Sequence, residues 1–281
     1  VGRIATCALS VCGPVNDGKS ICLADCMGPE GWLLEEADLA AALGLSGAHR
    51  VKMLNDFVAV GLAVGGVDWR DCEEQLVSVH DGARVRQGTI AVLGPGTGLG
   101  SCAGVWAASE EGTQLQILPS EGGESDFVAR TADEWALREH IAATLGGGAA
   151  HVKVEHVVSG SGIARIYDFL RQRDAQTSGR GKRKAAGADD GVDGGAAVEA
   201  EVRAAADRSA VVAAHGVAGS AEADPHCVAA MDMFIDALGA EAANVALRFQ
   251  AFGGVYIAGG VAAKLAERLA AGGRLRAAYL A

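Results

Sequence analysis

Residues 89–101 have the sequence TIAVLGPGTGLGS, in which a short apolar run meets a turn with alternating glycines. The apolar residues 90–93 predict a buried strand, and residues 101–107 (SCAGVWA) predict a returning strand. The glycines allow positive φ angles and a close approach of backbone N–H groups to an anion. A phosphate-binding turn and an ordinary β-hairpin are both consistent with this pattern. A dinucleotide-binding fingerprint is not, because its third glycine opens a helix.

The composition narrows the classes of function. Half of the 281 residues are hydrophobic, which is enough for a large core in one domain or in two lobes. The net charge of −11 argues against broad affinity for nucleic acid or anionic membranes. Seven cysteines without a CxxC pair are typical of reduced intracellular thiols in a core. No apolar run is long enough to span a membrane.

The two ends of the sequence predict a longer protein. Val1-Gly2-Arg3 has neither an initiator methionine nor the pattern of a signal peptide. Residues 274–281 end the sequence inside a predicted element. We therefore expect the chain to continue at both ends.

Residues 13–20, GPVNDGKS, match the phosphate-loop pattern G-x-x-x-x-G-K-[ST], with Lys19 and Ser20 in the phosphate and magnesium roles. A phosphate loop must lead into a helix, but the apolar residues 20–26 are soon followed by a Gly-Pro pair. Residues 16–18, Asn-Asp-Gly, are typical of a tight turn between two strands. We therefore predict a hairpin here, with the phosphate loop as the weaker alternative.

Carboxylates lie beside predicted turns at three places. Asn55 and Asp56 separate a predicted strand from a predicted helix, where α/β sheets place ligands, although either residue could simply cap the helix. Glu121 and Glu124 flank two glycines, so they suit a cation or a polyhydroxyl ligand, or else a solvated acidic loop. Glu155 precedes a Ser-Gly-Ser-Gly turn.

The remaining pattern predicts alternating helices and strands. Residues 172–224 differ, because Gly, Ala, Asp and a basic cluster replace periodic apolar residues, and they predict a flexible low-complexity insertion with short helix. His151 and His156 are predicted to be surface or capping residues. The other predicted elements are helices over 33–45, 55–64, 131–145, 163–171, 227–250 and 262–271, and strands over 49–54, 151–158 and 252–260.

Six motifs occur in the order that is typical of bacterial-type glucokinases: CGPV at Cys12, LNDF at Leu54, LGPGTGLG at Leu93, PSEGGESDF at Pro119, VEHVVSGSG at Val154 and GGVYIAGGV at Gly253. From about Arg3 to its end, the chain resembles this family of hexokinase-like sugar kinases. The resemblance implies an α/β, actin-like (ribonuclease H-like) fold of two lobes, with mixed sheets flanked by helices. It implies a small lobe over residues 1–66 and a large lobe over residues 67–281.

The resemblance also implies roles for single residues. Asp56 corresponds to the base that faces the sugar 6-hydroxyl, and Asn55, Glu121 and Glu155 correspond to partners of the ring hydroxyls. Bacterial members commonly have His where this chain has Glu124, so the contact to the anomeric end of the sugar has a different chemistry here. Three acceptors around one sugar predict that glucosamine binds better, relative to glucose, than in family members with His.

The implied reaction is transfer of the γ-phosphate of ATP to the 6-hydroxyl of glucose, with ATP and Mg²⁺ as cofactors. The Mg²⁺ ligands are not assigned, because the family's first phosphate loop, an N-terminal hairpin with Asp and Gly-Gly-Thr, is not matched by this sequence. A sugar-binding or regulatory protein without phosphotransfer is therefore the alternative. The nucleotide and phosphate contacts are implied at two glycine turns: Gly96, Thr97, Gly98, Ala258, Gly259 and Gly260.

The resemblance also bears on partners and location. It implies glucose and ATP as ligands, no nucleic acid and no membrane, and it is compatible with a homodimer. The implied compartment is the cytoplasm. The long insertion resembles protist members, including the trypanosomatid branch, for which a glycosome-like organelle is the alternative compartment.

Overall fold

The computed structural model describes residues 4–22, 31–66, 76–80, 82–110, 112–146, 151–181 and 194–281. These residues form nine strands in three sheets, together with ten α-helices. None of the helices in this described part is long and apolar enough to cross a membrane. The mixed sheets with flanking helices confirm the predicted α/β class.

The N-terminal residues contain two small sheets. Strand β1 (Cys7–Val11) pairs in parallel with β5 (Val51–Asn55). An antiparallel sheet has the order β2 (Val15–Asn16), β3 (Lys19–Cys22) and β4 (Trp32–Glu35). The carboxyl end of β5 therefore lies next to the end of β1, where the chain enters the β2–β3 hairpin.

The β2–β3 hairpin decides between the two interpretations of GPVNDGKS. Asp17 and Gly18 have φ angles of 47° and 69°, as a two-residue hairpin turn of type I′ requires. Lys19 begins a strand and its Nζ lies 3.0 Å from Glu35 Oε1. The hairpin prediction is confirmed, and the phosphate-loop alternative is wrong because Lys19 begins the strand β3 and not a helix.

The helix predicted over residues 33–45 is shorter than expected. Its first residues belong to β4, because they pair with β3 in the register Ser20↔Leu34 and Lys19↔Glu35. Helix α1 (Glu36–Ala42) begins only after this pairing ends. Helix α2 (Asp56–Gly65) follows β5, and it confirms the helix predicted over residues 55–64.

The largest sheet has the strand order β8-β7-β6-β9. Strands β6 (Ile90–Pro95), β7 (Leu99–Ser109) and β8 (Gly112–Ser120) are antiparallel neighbours, and β9 (Gly254–Ile257) pairs with β6 in parallel. Every residue of β6 is buried. The glycine-rich stretch 89–101 is therefore a β-hairpin in the centre of a sheet, as predicted.

Helix α7 (Pro225–Phe249) is the centre of the helical layer, and α3 (Ala132–Thr144), α4 (Gly160–Gly181) and α10 (Arg274–Leu280) belong to the same layer. Thr131 caps α3, since its side chain accepts a hydrogen bond from Glu134 N at 3.1 Å. The apolar faces of these helices meet in one core cluster, whose fully buried members include Leu137, Ile141, Ile163, Ile166, Met231, Phe234 and Leu238. Full burial of such a side chain contributes about 1.5–3 kcal/mol.

The expected insertion over residues 172–224 is more ordered than its composition predicted. Helix α4 continues through it to Gly181, and it also contains α5 (Gly194–Ala204) and α6 (Arg208–His215). Val202 and Val212 are fully buried in the core cluster. These elements agree with the short helix that was expected there, but their docking in the core was not expected, because a few valines among many alanines do not indicate a buried face. Residues 182–193 lie outside the described residues.

The strand predicted over residues 151–158 is also wrong. The segment has one antiparallel bridge, Asp126↔Lys153, followed by a 3₁₀ turn over Val154–His156. His151 pairs with Asp126 at 3.0 Å, and His156 Nδ1 accepts a hydrogen bond from Lys153 N at 3.1 Å. The capping and surface roles predicted for the two histidines are confirmed.

The C-terminal helix predicted over residues 262–271 is divided into α8 (Gly259–Lys264) and α9 (Ala266–Ala270). Among the described cysteines, Cys7, Cys102 and Cys227 are free thiols. Burial raises the pKa of the Cys102 thiol to about 11 and that of Cys227 to about 12. These two therefore fit the predicted core role, whereas Cys7 and Cys12 are only half-buried, and Cys26 and Cys72 lie outside the described residues.

Candidate functional site

The tip of the β6–β7 hairpin is held from one side and open on the other. Gly96 N donates to Gly98 O at 2.8 Å, and Gly160 N, at the start of α4, donates to Gly96 O at 2.8 Å. A Cβ added to Gly96 would meet no atom within 4 Å. The tip, which also contains Thr97, therefore has a fixed backbone that borders open space.

A second glycine turn lies beside this hairpin. Ala258 N donates to Leu93 O at 2.8 Å, which extends the pairing of β9 with β6. Gly259 has a φ angle of 85°, and a Cβ there would lie 2.7 Å from Pro95 O. At Gly260 the corresponding space is open. The two predicted nucleotide turns are thus neighbours in space.

Phe57 joins α2 to the hairpin. Gly94 and Gly100 are cross-strand partners, and a Cβ on Gly94 would lie 2.7 Å from Phe57 Cζ. A Cβ on Gly100 would overlap the Phe57 ring. The ring therefore occupies the space of two missing side chains, and this contact brings the neighbouring Asp56 to the hairpin.

Asn55 and Asp56 occupy the junction between β5 and α2. Asn55 Oδ1 accepts hydrogen bonds from Phe57 N at 2.9 Å and Val58 N at 3.2 Å, while its Nδ2 donates to Gly13 O at 3.1 Å. Asn55 is thus the helix cap, with one amide N–H left for a ligand. Asp56 is exposed, and its Oδ1 accepts from Phe57 N at 2.9 Å.

Glu121 follows β8 directly and precedes a 3₁₀ turn over Gly122–Glu124. Ser120 Oγ accepts a hydrogen bond from Gly122 N at 3.0 Å, which starts the turn. A Cβ on Gly123 would overlap Leu99 O, so this turn approaches the hairpin backbone as closely as only glycine allows. The Gly122-Gly123 pair therefore allows the turn that carries Glu121 and Glu124 to pack closely against the β6–β7 hairpin.

Glu155 also contacts the β6–β7 hairpin. Its Oε2 accepts a weak hydrogen bond from Leu99 N at 3.4 Å, and a Cβ on Gly98 would lie 2.5 Å from that oxygen. Ser159 Oγ donates to Glu155 O at 2.6 Å and also accepts from Gly162 N at 3.0 Å. The Ser-Gly-Ser-Gly turn thus fixes Glu155 at the start of α4.

The predicted carboxylates lie close enough to affect one another electrostatically. Burial raises the pKa of Glu121, and the charges of Asp56, Glu124 and Glu155 raise it further. Burial also raises the pKa of Glu155, and the charge of Glu124 adds to that effect. A cluster of this kind at a cleft is typical of a functional site.

Lys153 is a residue of this site that the sequence interpretation missed. Its Nζ lies 2.6 Å from Glu124 Oε2 and 3.6 Å from Glu155 Oε1. The hydrogen bond from Lys153 lowers the pKa of Glu124, and the same bond raises the pKa of Lys153. The local pattern did not indicate this role, because the alternation over residues 151–158 predicted a strand and the segment instead forms a 3₁₀ turn.

A cavity of about 760 Å³ borders the carboxylate cluster. Asn55 and Glu121 contribute to its wall, with Lys19 and Glu35 among the other lining residues. Asp56 and Glu155 do not line it, so the cavity adjoins the cluster and does not enclose it. Its volume lies within the range of about 300–1,000 Å³ that is usual for ligand sites.

A protein-held metal site is not apparent in the described part of the chain, where no group of three or more His, Cys, Asp or Glu residues could hold an ion. Mg²⁺ that enters as a nucleotide complex does not need such a group, because it is bound through substrate phosphates, water and one or two carboxylates.

Comparison with known proteins agrees with this geometry. The glucokinase family model matches residues 1–279. A glucokinase of Nostoc sp. is 35% identical over 242 residues, which cover 83% of this chain and 62% of that protein. A glucokinase of Synechocystis sp. is 32% identical over 281 residues, covering 96% of this chain and 68% of that protein.

This chain is also similar to the crystal structure of a glucokinase from an Antarctic psychrotroph, with a TM-score of 0.63 and 25% sequence identity. The matched region covers 97% of this chain and 69% of the psychrotroph chain. The chain spans about 62% of the length of the first of these curated relatives. The resemblance of the insertion to protist members stays a prediction. The matched family, the order of the motifs and the hairpin between the carboxylates lead to one conclusion: this chain belongs to the glucokinase family.

Proposed function

We propose that the protein containing this chain transfers the γ-phosphate of ATP to the 6-hydroxyl of glucose. The observation that carries the proposal is the carboxylate cluster at the glycine hairpin, where Asp56, Glu121 and Glu155 lie near one another. Carboxylates accept strong hydrogen bonds from sugar hydroxyls, and the hairpin beside them supplies backbone N–H groups and open space for phosphates.

In this proposal Asp56 is the general base. It is exposed at the N-terminus of α2, and its backbone position is fixed by the Asn55 cap and by the Phe57 ring on the hairpin. A base must lie within hydrogen-bond reach of the proton that it removes, in line with the attacked phosphorus. Glu121, Glu155 and the free N–H of Asn55 would hold the ring hydroxyls so that the 6-hydroxyl faces Asp56.

The nucleotide would bind along the two glycine turns. Open space at Gly96 and Gly260 allows phosphates and the adenosine to approach the backbone, while Thr97 adds a hydroxyl. Gly98 and Gly259 allow the close packing that shapes the turns. Mg²⁺ would arrive with ATP and neutralise phosphate charge, and the residues described here supply the sugar side of the site.

We further propose two lobes, over residues 1–66 and 67–281, that close on the sugar and exclude water. Helix α2 connects the two proposed lobes, since it follows β5 of the first and packs on β7 and β8 of the second. A Cβ on Gly61 would lie 2.8 Å from Cys102 Sγ, so this contact is close. The homodimer and the cytoplasmic location stay predictions.

The test is a coupled assay of glucose 6-phosphate formation by the full-length protein, together with calorimetry of glucose and of Mg·ATP. We expect both ligands to bind and phosphate to be transferred. Glucose binding without Mg·ATP binding or transfer would instead support a sugar-binding or regulatory protein. Absence of glucose binding would contradict both functions.

The conversion Lys19→Ala tests the rejected phosphate loop. Because Lys19 pairs with Glu35 in a hairpin, we expect the Michaelis constant for ATP to stay within about twofold of the native value, and stability to change by less than about 1 kcal/mol, the usual limit for an exposed ion pair. Initial-rate kinetics and thermal unfolding measure both. A rise of tenfold or more, which corresponds to about 1.4 kcal/mol, would contradict the expectation that Lys19 does not contribute to ATP binding.

A further inference from the structure

Lys153 is placed between two acidic groups of the proposed sugar site. Its ammonium contacts Glu124 at 2.6 Å and approaches Glu155 at 3.6 Å, and the Lys153 side chain is partly buried, whereas that of Glu124 is half exposed. The opposite charge compensates part of the repulsion among the carboxylates, since a nearby cation favours the ionised form of an acid. Accordingly, the charge of Lys153 opposes the rise in the pKa of Glu155.

The ammonium is not needed to hold the local backbone. Lys153 N already donates to His156 Nδ1, and the residue forms the bridge with Asp126. Val154 N donates to Ser125 O at 2.8 Å, which ties the same segment to the carboxylate turn. A substitution that removes only the charge should therefore leave the turn in place.

The charge of Lys153 affects which sugars can bind at the carboxylate cluster. A cluster of carboxylates attracts a sugar that carries an ammonium group. This is why Glu121, Glu124 and Glu155 predicted from the sequence a relative preference for glucosamine. With Lys153 in place, Glu124 already has a cation at hydrogen-bond distance, and Arg165 adds positive charge near Glu155. An amino sugar must then compete with Lys153 for the same oxygens and approach a like charge.

We propose that Lys153 is a specificity-determining residue. Paired with Glu124, it disfavours the binding of amino sugars and makes the carboxylate cluster selective for neutral hexoses. This inference rests on the proposed function, because it requires that the cluster binds a hexose. It concerns binding and not the phosphotransfer step, so it can be tested without ATP.

The experiment measures glucose and glucosamine binding by calorimetry, at one salt concentration and at a pH at which the amine is protonated. In Lys153→Met the ratio of glucosamine affinity to glucose affinity should rise about tenfold, or about 1.4 kcal/mol. In Lys153→Arg, which keeps the charge, the ratio of glucosamine affinity to glucose affinity should stay within about threefold of the native ratio, or about 0.7 kcal/mol. Lys264→Met, at an exposed lysine on α8, is the matched control and should leave the ratio unchanged.

A second variant changes the ratio in the opposite direction. Glu124→Gln removes the nearer partner and leaves Lys153 with only Glu155, at 3.6 Å, so positive charge predominates at Lys153 and the ratio should fall below native. A purely structural role of the ion pair would give both variants the same sign. Glucose binding with an unchanged ratio in Lys153→Met, or with equal shifts in both variants, would overturn the inference alone. Failure of the native protein to bind either sugar would overturn the proposed function and the inference with it.

Discussion

Asp56→Asn is expected to remove nearly all phosphotransfer while glucose affinity stays within about threefold of native, because loss of a general base costs about two to four orders of magnitude in rate. The amide has the shape of the carboxylate, so Oδ1 can still accept the hydrogen bond from Phe57 N. It cannot take up the proton of the sugar hydroxyl at neutral pH.

The fold should survive this change. Asp56 is exposed at the first position of α2, and the Asn55 side chain supplies the cap by accepting from Phe57 N and Val58 N. Loss of one negative charge at a helix N-terminus costs only about 0.3–1 kcal/mol. A decrease in rate would therefore report on chemistry and not on unfolding.

The measurement is kcat with saturating glucose and Mg·ATP, combined with calorimetry of glucose. Asp133→Asn is the matched control, since Asp133 is likewise exposed in the first turn of a helix and only pairs with Arg173. This control should keep its rate. If Asp56→Asn retained more than a tenth of native activity, another group would have to be the base.

Local chemistry was enough to predict both hairpins. Asp17 and Gly18 carry the positive φ angles of a tight turn, and an Asn-Asp-Gly sequence between apolar residues is a direct signal for it. Around Gly96 and Gly98, the apolar runs on each side specify two buried strands. In both cases the decisive interactions lie within a few residues, so no knowledge of distant packing was needed.

Predictions failed where distant contacts decide the structure. Residues 33–35 are extended because β3 offers them a pairing partner, which overrides their helical pattern. Val202 and Val212 become core residues only because α5 and α6 pack in the helical layer with α4 and α7. Their sparse spacing among alanines resembles low complexity when the partner surface is not known.

The site follows the same rule. The motifs predicted Asp56, Glu121 and Glu155 as site residues. Glu121 and Glu155 lie beside glycine-containing turns, and Asp56 lies at the junction of a strand and a helix. The contact of Lys153 with Glu124 was not predictable, since it joins residues 29 positions apart through a turn that had been predicted as a strand. The order of the motifs thus predicts which segments come together. Which charged side chains pair between those segments can be seen only in the folded structure.

The role of Phe57 leads to the second large expected effect, in Gly100→Ala. The added Cβ would overlap the Phe57 ring, which lies over the Gly94↔Gly100 pair. Overpacking of this kind typically costs about 1–3 kcal/mol of unfolding free energy. Because Asp56 precedes Phe57, displacement of the ring also moves the proposed base, and a shift of about 1 Å in a reacting group can lower the rate about 100-fold.

Chemical denaturation and kcat measure the two effects, and Gly82→Ala is the control, since a Cβ there would meet no atom within 4 Å. The decisive comparison is made in the Phe57→Ala background. There the ring is gone, so the same Gly100→Ala change should cost less than about 0.5 kcal/mol, the range expected for changes that no longer interact. An equal cost in both backgrounds would mean that the ring does not occupy this space, and the link between the hairpin and the proposed base would have to run through other contacts.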